Sequence, residues 1–76
     1  MDAHVHAVVK ALRQGKIHRA PKPWLREAHL WAIENRDDGL RAACVLALNN
    51  WPNPTHAVAQ DIQRLAGSIY VSRAKS

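Results

Sequence analysis

The sequence predicts an all-α fold, a small single-domain bundle of about four short helices spanning residues 1–76. Three observations carry that expectation. Apolar residues recur at helical spacing in four separate stretches, glycine and proline clusters separate those stretches, and the composition, 47% apolar and 22% charged, is that of a folded domain and too apolar for a disordered one.

The first helix is expected over about residues 3–14, with Val5, Val8, Val9 and Leu12 on the i, i+3, i+4, i+7 stripe of a one-sided helix and Asp2 able to cap it. Gly15 reads as the left-handed residue that ends it, and Ile17 as the apolar residue that folds back on the last turn. The segment "KIHRAPKP" that follows has two prolines and no periodicity, which predicts an exposed, fairly stiff basic loop between helices one and two. Pro23 suits the first turn of the second helix, expected over 23–36, where Trp24, Ala28 and Trp31 form a stripe that Leu25, Leu30, Ala32 and Ile33 widen.

"ENRDDG" interrupts the pattern, and Asp37 or Asp38 can cap a third helix over 38–50. Leu40, Ala43, Cys44, Ala47 and Leu48 make its main face, and Val45 and Leu46 render it apolar nearly all round. It is therefore expected at the centre of the bundle as the most buried element. Pro52 and Pro54 make "NNWPNP" a turn, and Asn53–Pro54 reads as the start of a fourth helix over 54–70, carried by Val58, Ile62, Leu65 and Ile69. Gly67 and the β-branched "IYVS" weaken its end, and the tail 72–76 is expected to fray. The expected common core is Val8, Leu12, Trp31, Cys44, Leu48, Ile62 and Leu65.

A chain of 76 residues buries only about 60% of the surface that its unfolded form exposes, so its core is marginal and self-association is plausible from the start. One cysteine forms no internal disulfide, the opening "MDAHVHAVVKAL" has no secretory pattern, and no run approaches the roughly 18 apolar residues of a membrane span. These features point to the reducing cytoplasm and away from a membrane.

Net charge is +5, and its distribution says more than its size. Lys10, Arg13, Lys16, Arg19, Lys22 and Arg26 fall in seventeen residues that contain no carboxylate, while the remaining five cations and six acids nearly cancel. The chain thus reads as a nearly neutral domain with one basic segment, the pattern of a polyanion site. The bland account of Lys10 and Arg13 alone would be the negative end of the first helix dipole, but that account does not extend across the prolines to Lys16, Arg19 and Lys22.

Histidines at 4, 6, 18, 29 and 56 and Cys44 raise the question of a metal. His4 and His6 are two apart, so on a helix they face different ways, and neither Cys-x-x-Cys nor His-x-x-x-His spacing occurs. No metal and no cofactor are expected. His4, His6 and His56 read as solvated side chains near helix starts and His29 as a partly packed one. Cys44, among Ala43, Val45 and Leu46, reads as a small buried hydrophobe and not as a nucleophile. With no phosphate loop, no recognisable nucleophile context and no paired carboxylates on one face, no catalytic residue is assigned and an enzyme is not expected.

Three tryptophans remain. Trp31 suits the core, whereas Trp24 at the end of the basic loop and Trp51 in the proline turn are candidate interface anchors. A helix-turn-helix would have to fall on the third and fourth helices, where the proline turn and Asp61 fit poorly, so phosphate contact is favoured over base reading. Two classes of function follow. The first is a non-enzymatic, nucleic-acid-associated regulator, its partner DNA or RNA, whose basic residues contact phosphates. The second is a small anti-defence or anti-CRISPR-like inhibitor, of the kind phages and mobile elements encode, that docks its basic patch on an acidic or nucleic-acid-binding protein. Homodimerisation is left open.

Overall fold

The structure, a computed structural model, describes the backbone of residues 3–75 and the side chains of residues 3–67. Among the described residues it is all-helical. Helices α1 (Ala3–Arg13), α2 (Lys22–Glu34), α3 (Asp38–Asn50) and α4 (His56–Lys75) follow one another, with a single 3₁₀ turn at Ile17–Arg19 between the first two. Each helix packs on two others in a closed ring: α1 on α2 and α4, and α3 on α2 and α4.

Both ends of the first inter-helix links are tied by the same device. After α1, the Lys16 amide donates to the Ala11 carbonyl (2.8 Å) and the Gly15 amide to Leu12 (3.2 Å), with Gly15 at φ 70°. After α2, Asp37 donates to Ala32 (2.9 Å) and Arg36 to Ile33 (3.2 Å), with Arg36 at φ 55°. Both are Schellman ends, which satisfy the last carbonyls by turning one residue left-handed. Gly15 does this without steric cost, whereas Arg36 carries a Cβ into a region that costs an L-residue roughly 1–2 kcal/mol.

Expectation and structure agree on α3, on Pro23 in the first turn of α2 and on the fold-back of Ile17, which is wholly buried. The fourth helix starts later than expected. Thr55, not Asn53–Pro54, caps it: the Thr55 hydroxyl accepts from the Val58 amide (3.3 Å) and the Thr55 carbonyl from Ala59 (2.9 Å). Helix α4 also passes through Gly67 and reaches Lys75 in backbone, where the sequence suggested an end near 70 and a frayed tail. The side chains of 68–76, Ile69 included, and the Asp2 cap lie outside the described residues.

The core comprises Val5, Val8, Val9 and Leu12 from α1, Ile17 and Ala20 from the link, Leu25, Ala28 and Ala32 from α2, Leu40, Ala43, Cys44 and Ala47 from α3, and Ile62 and Ala66 from α4. Val8, Leu12, Cys44 and Ile62 are buried as expected, but Trp31, Leu48 and Leu65 are only partly buried and pack against that core from its flank. Helix α3 is likewise not buried all round, since Val45 remains 38% exposed. The reason lies in side-chain size: α3 presents Leu40, Ala43, Cys44 and Ala47 inward, so three of its four inward residues are small, while Val45, Leu46 and Leu48 fall to its sides. The fully buried large residues are instead Leu12, Ile17, Leu25 and Ile62.

Truncation should report this arrangement. Leu25→Ala is expected to cost about 2–5 kcal/mol in denaturant unfolding, and half-buried Leu48→Ala under about 2 kcal/mol. Equal losses at the two sites would place α3 deeper than described.

Candidate nucleic-acid interface

The basic segment begins on the last two turns of α1. Lys10 and Arg13 are three apart and so share one side of the helix; Lys10 is exposed, while Arg13 is half-buried with its Nε shielded from water. Arg13 is thus packed into the domain more than it is presented by it. After Gly15 the chain does not run as an open loop. It enters the 3₁₀ turn, with Arg19 N–H donating to the Lys16 carbonyl (3.0 Å) and Ala20 N–H to Ile17 (2.9 Å).

In a 3₁₀ turn side chains three apart eclipse one another, and this places two pairs. Ile17 and Ala20 share the inward direction, both buried, and Lys16 and Arg19 share an outward one, both exposed. Burying the first pair therefore fixes where the second points. Lys22 and Arg26 continue the exposed set on α2, four apart and on one side. Glu27, the nearest acid in sequence, lies about 100° further round that helix than Arg26. Ion pairs among the described residues include Arg41–Asp38 (4.0 Å) and Arg64–Asp61 (3.3 Å), which lie on α3 and α4.

Two tryptophans bear on this segment through contacts that their positions in the sequence do not announce. The Trp51 indole N–H donates to the Ala20 carbonyl at 3.0 Å, a bond across 31 residues that ties the α3–α4 turn, with its cis Trp51–Pro52 peptide, to the basic link. Trp51 still exposes 37% of its surface although its indole N–H is bonded to the basic link. Trp24, half-buried at the start of α2, stacks on His4 with ring centroids 4.4 Å apart and planes 25° from parallel. His4 is thus exposed, as expected, but not simply solvated. No sequence signal identifies such pairings, because they join residues on different elements.

Among the described residues no three His, Cys, Asp or Glu side chains are placed to share an ion. Cys44 is fully buried, and its thiol is pushed up from 9.0 to about 12 by desolvation, reinforced by the Asp37 carboxylate. A thiol so protonated is a poor nucleophile.

Compared with known proteins, the chain matches no protein-family model, no curated protein and no solved structure, so its site is read from its own residues.

The Cys44 environment has a pH consequence. In the unfolded chain the thiol ionises near pH 9, but in the folded domain it stays protonated toward pH 12, so the Cys44 contribution is intact below about pH 9 and is lost as pH rises through that window. Stability measured from pH 8 to 12 should therefore fall more steeply for the wild type than for Cys44→Ala. Parallel curves would contradict the burial described.

Proposed function

We propose that the protein is a non-enzymatic, nucleic-acid-associated binding protein whose basic segment contacts phosphates through Lys16, Arg19, Lys22 and Arg26, with Lys10 beside them and Arg13 behind. The observation that carries this reading is the clamp on the segment. A merely solubilising loop has no need of a fixed backbone, yet this one buries Ile17 and Ala20, forms a 3₁₀ turn and receives a hydrogen bond from Trp51. Holding the backbone in advance reduces the ordering cost of binding, which is largest for long cationic side chains on mobile loops.

Phosphate contact also suits the residue types. Lysine and arginine supply charge and donors without reading bases, and each phosphate neutralised releases condensed counterions. The partly exposed Trp51 indole, bonded to the Ala20 carbonyl of the basic link, offers an aromatic ring on which an unpaired base can stack, which favours single-stranded or unpaired nucleic acid. Helix α4 presents the acid Asp61 with Gln60, Gln63 and Arg64, a poor set for base-edge recognition.

Salt titration of nucleic-acid affinity tests this. Three to five phosphate contacts on a duplex give a slope of log affinity on log salt between about −3 and −5, somewhat shallower on a single strand. The combined change Lys16→Ala, Arg19→Ala and Lys22→Ala should flatten the slope by about 2 to 3 with the helical circular dichroism unchanged. A folded triple variant with unaltered affinity and slope would refute the proposal. If capture from the native cell instead yields a stoichiometric acidic protein that survives nuclease, the inhibitor reading takes its place.

A further inference from the structure

Helix α2 leaves two large apolar residues in water. Leu30 is 58% and Ile33 47% exposed, the two most exposed large hydrophobic residues described, and they lie three apart on one side of the helix. Scattered single apolar residues on a surface need no explanation, but a pair on one face of a domain with so small a core is a candidate contact. What identifies the occupant is the charge around them. Arg26 and Glu34, both exposed, stand four residues before and four after Leu30.

Those three residues form one ridge. In an α-helix, positions i, i+4 and i+8 line up as a shallow diagonal row, and the commonest packing of two helices lays such a row of one beside such a row of the other at about −50°. The row Arg26–Leu30–Glu34 reads cation, apolar, anion. Turned end for end it reads anion, apolar, cation, so it complements itself.

From this we propose that the outer face of α2 is a homodimer interface, with two copies of the chain related by a two-fold axis at Leu30. In that arrangement Leu30 packs against Leu30 of the second copy and into the groove between its own row and the next, which Ile33 and half-buried His29 line. Arg26 of each copy meets Glu34 of the other, giving two identical ion pairs, as an isologous interface requires, so that in the dimer phosphate contact falls to Lys16, Arg19 and Lys22. Any acidic partner would meet Arg26 but be repelled by Glu34, and a basic one the reverse; a second copy satisfies both. The dimer also places the two Lys22 side chains on the order of 24 Å apart along the paired helices, one basic segment at each end of the contact.

Sedimentation equilibrium on the full chain tests the interface, with circular dichroism confirming that each variant is folded. The wild type should show a reversible monomer–dimer equilibrium. Arg26→Glu alone and Glu34→Arg alone should each weaken it by about tenfold or more, since two attractive pairs become two repulsive ones, and Leu30→Asp should weaken it by more than about a hundredfold. The double change Arg26→Glu with Glu34→Arg should restore the dimer to within about threefold of wild type. A wild-type chain that stays monomeric up to about 1 mM overturns the proposal, as does a dimer indifferent to the single reversals or not rescued by the double one.

Discussion

The architecture of the candidate site depends on how eight residues between two helices are held. Once α1 ends on Gly15 and Ile17 is drawn into the core, the chain must turn tightly, and it does so as a 3₁₀ turn whose other inward residue is Ala20. The Trp51 indole, 31 residues further along the chain, then closes the arrangement through its hydrogen bond to the Ala20 carbonyl. From these apolar and backbone contacts follows the outward direction of Lys16 and Arg19, and Lys22 and Arg26 extend it along α2. The cations do not hold themselves in place. Like charges so close in sequence repel one another, so the contacts beneath them must oppose that repulsion until an anion relieves it.

Such an arrangement is demanding for a domain with so little interior. The buried residues are mostly alanine and valine, with a few larger ones, Leu12, Ile17, Leu25, Leu40 and Ile62, among them. Close packing of small residues brings backbones together but leaves bulky side chains at the edges, which is why Trp24, Trp31, Leu46 and Leu48 sit on the flank and Leu30 and Ile33 reach water. The proposed pairing of α2 with its copy would cover part of that surplus. Fold and assembly are then two answers to one shortage of interior volume.

Much of the fold was legible because it follows from local signals. Gly15, the return of Ile17, Pro23 in the first turn of α2 and the bounds of α3 all rest on residues within a few positions of the feature they determine. Expectation failed where the deciding partner is distant or unusual. Arg36 takes a left-handed conformation normally left to glycine or asparagine, so nothing in its identity announces the end of α2. Thr55 displaces Asn53–Pro54 as the start of α4, although either would satisfy a capping rule. The all-round apolar pattern of α3 suggested a central helix, but helical period does not say which neighbours will be present to cover each side. As for the site, the sequence marks the cations, whereas the Trp51–Ala20 hydrogen bond and the His4–Trp24 stack are contacts that only the packed chain displays.

A basic segment clamped in advance of binding is tested most directly by amide hydrogen exchange at Arg19 and Ala20. Both amides donate within the 3₁₀ turn, to Lys16 and Ile17 respectively. In the free wild-type protein they should exchange at least about a hundredfold more slowly than in an unstructured peptide. Trp51→Phe, which removes the indole donor and keeps a ring, should speed them by about tenfold while amides in the middle of α3 keep their protection. Exchange at the unstructured rate in the wild type, or protection that Trp51→Phe leaves unchanged, would contradict the account.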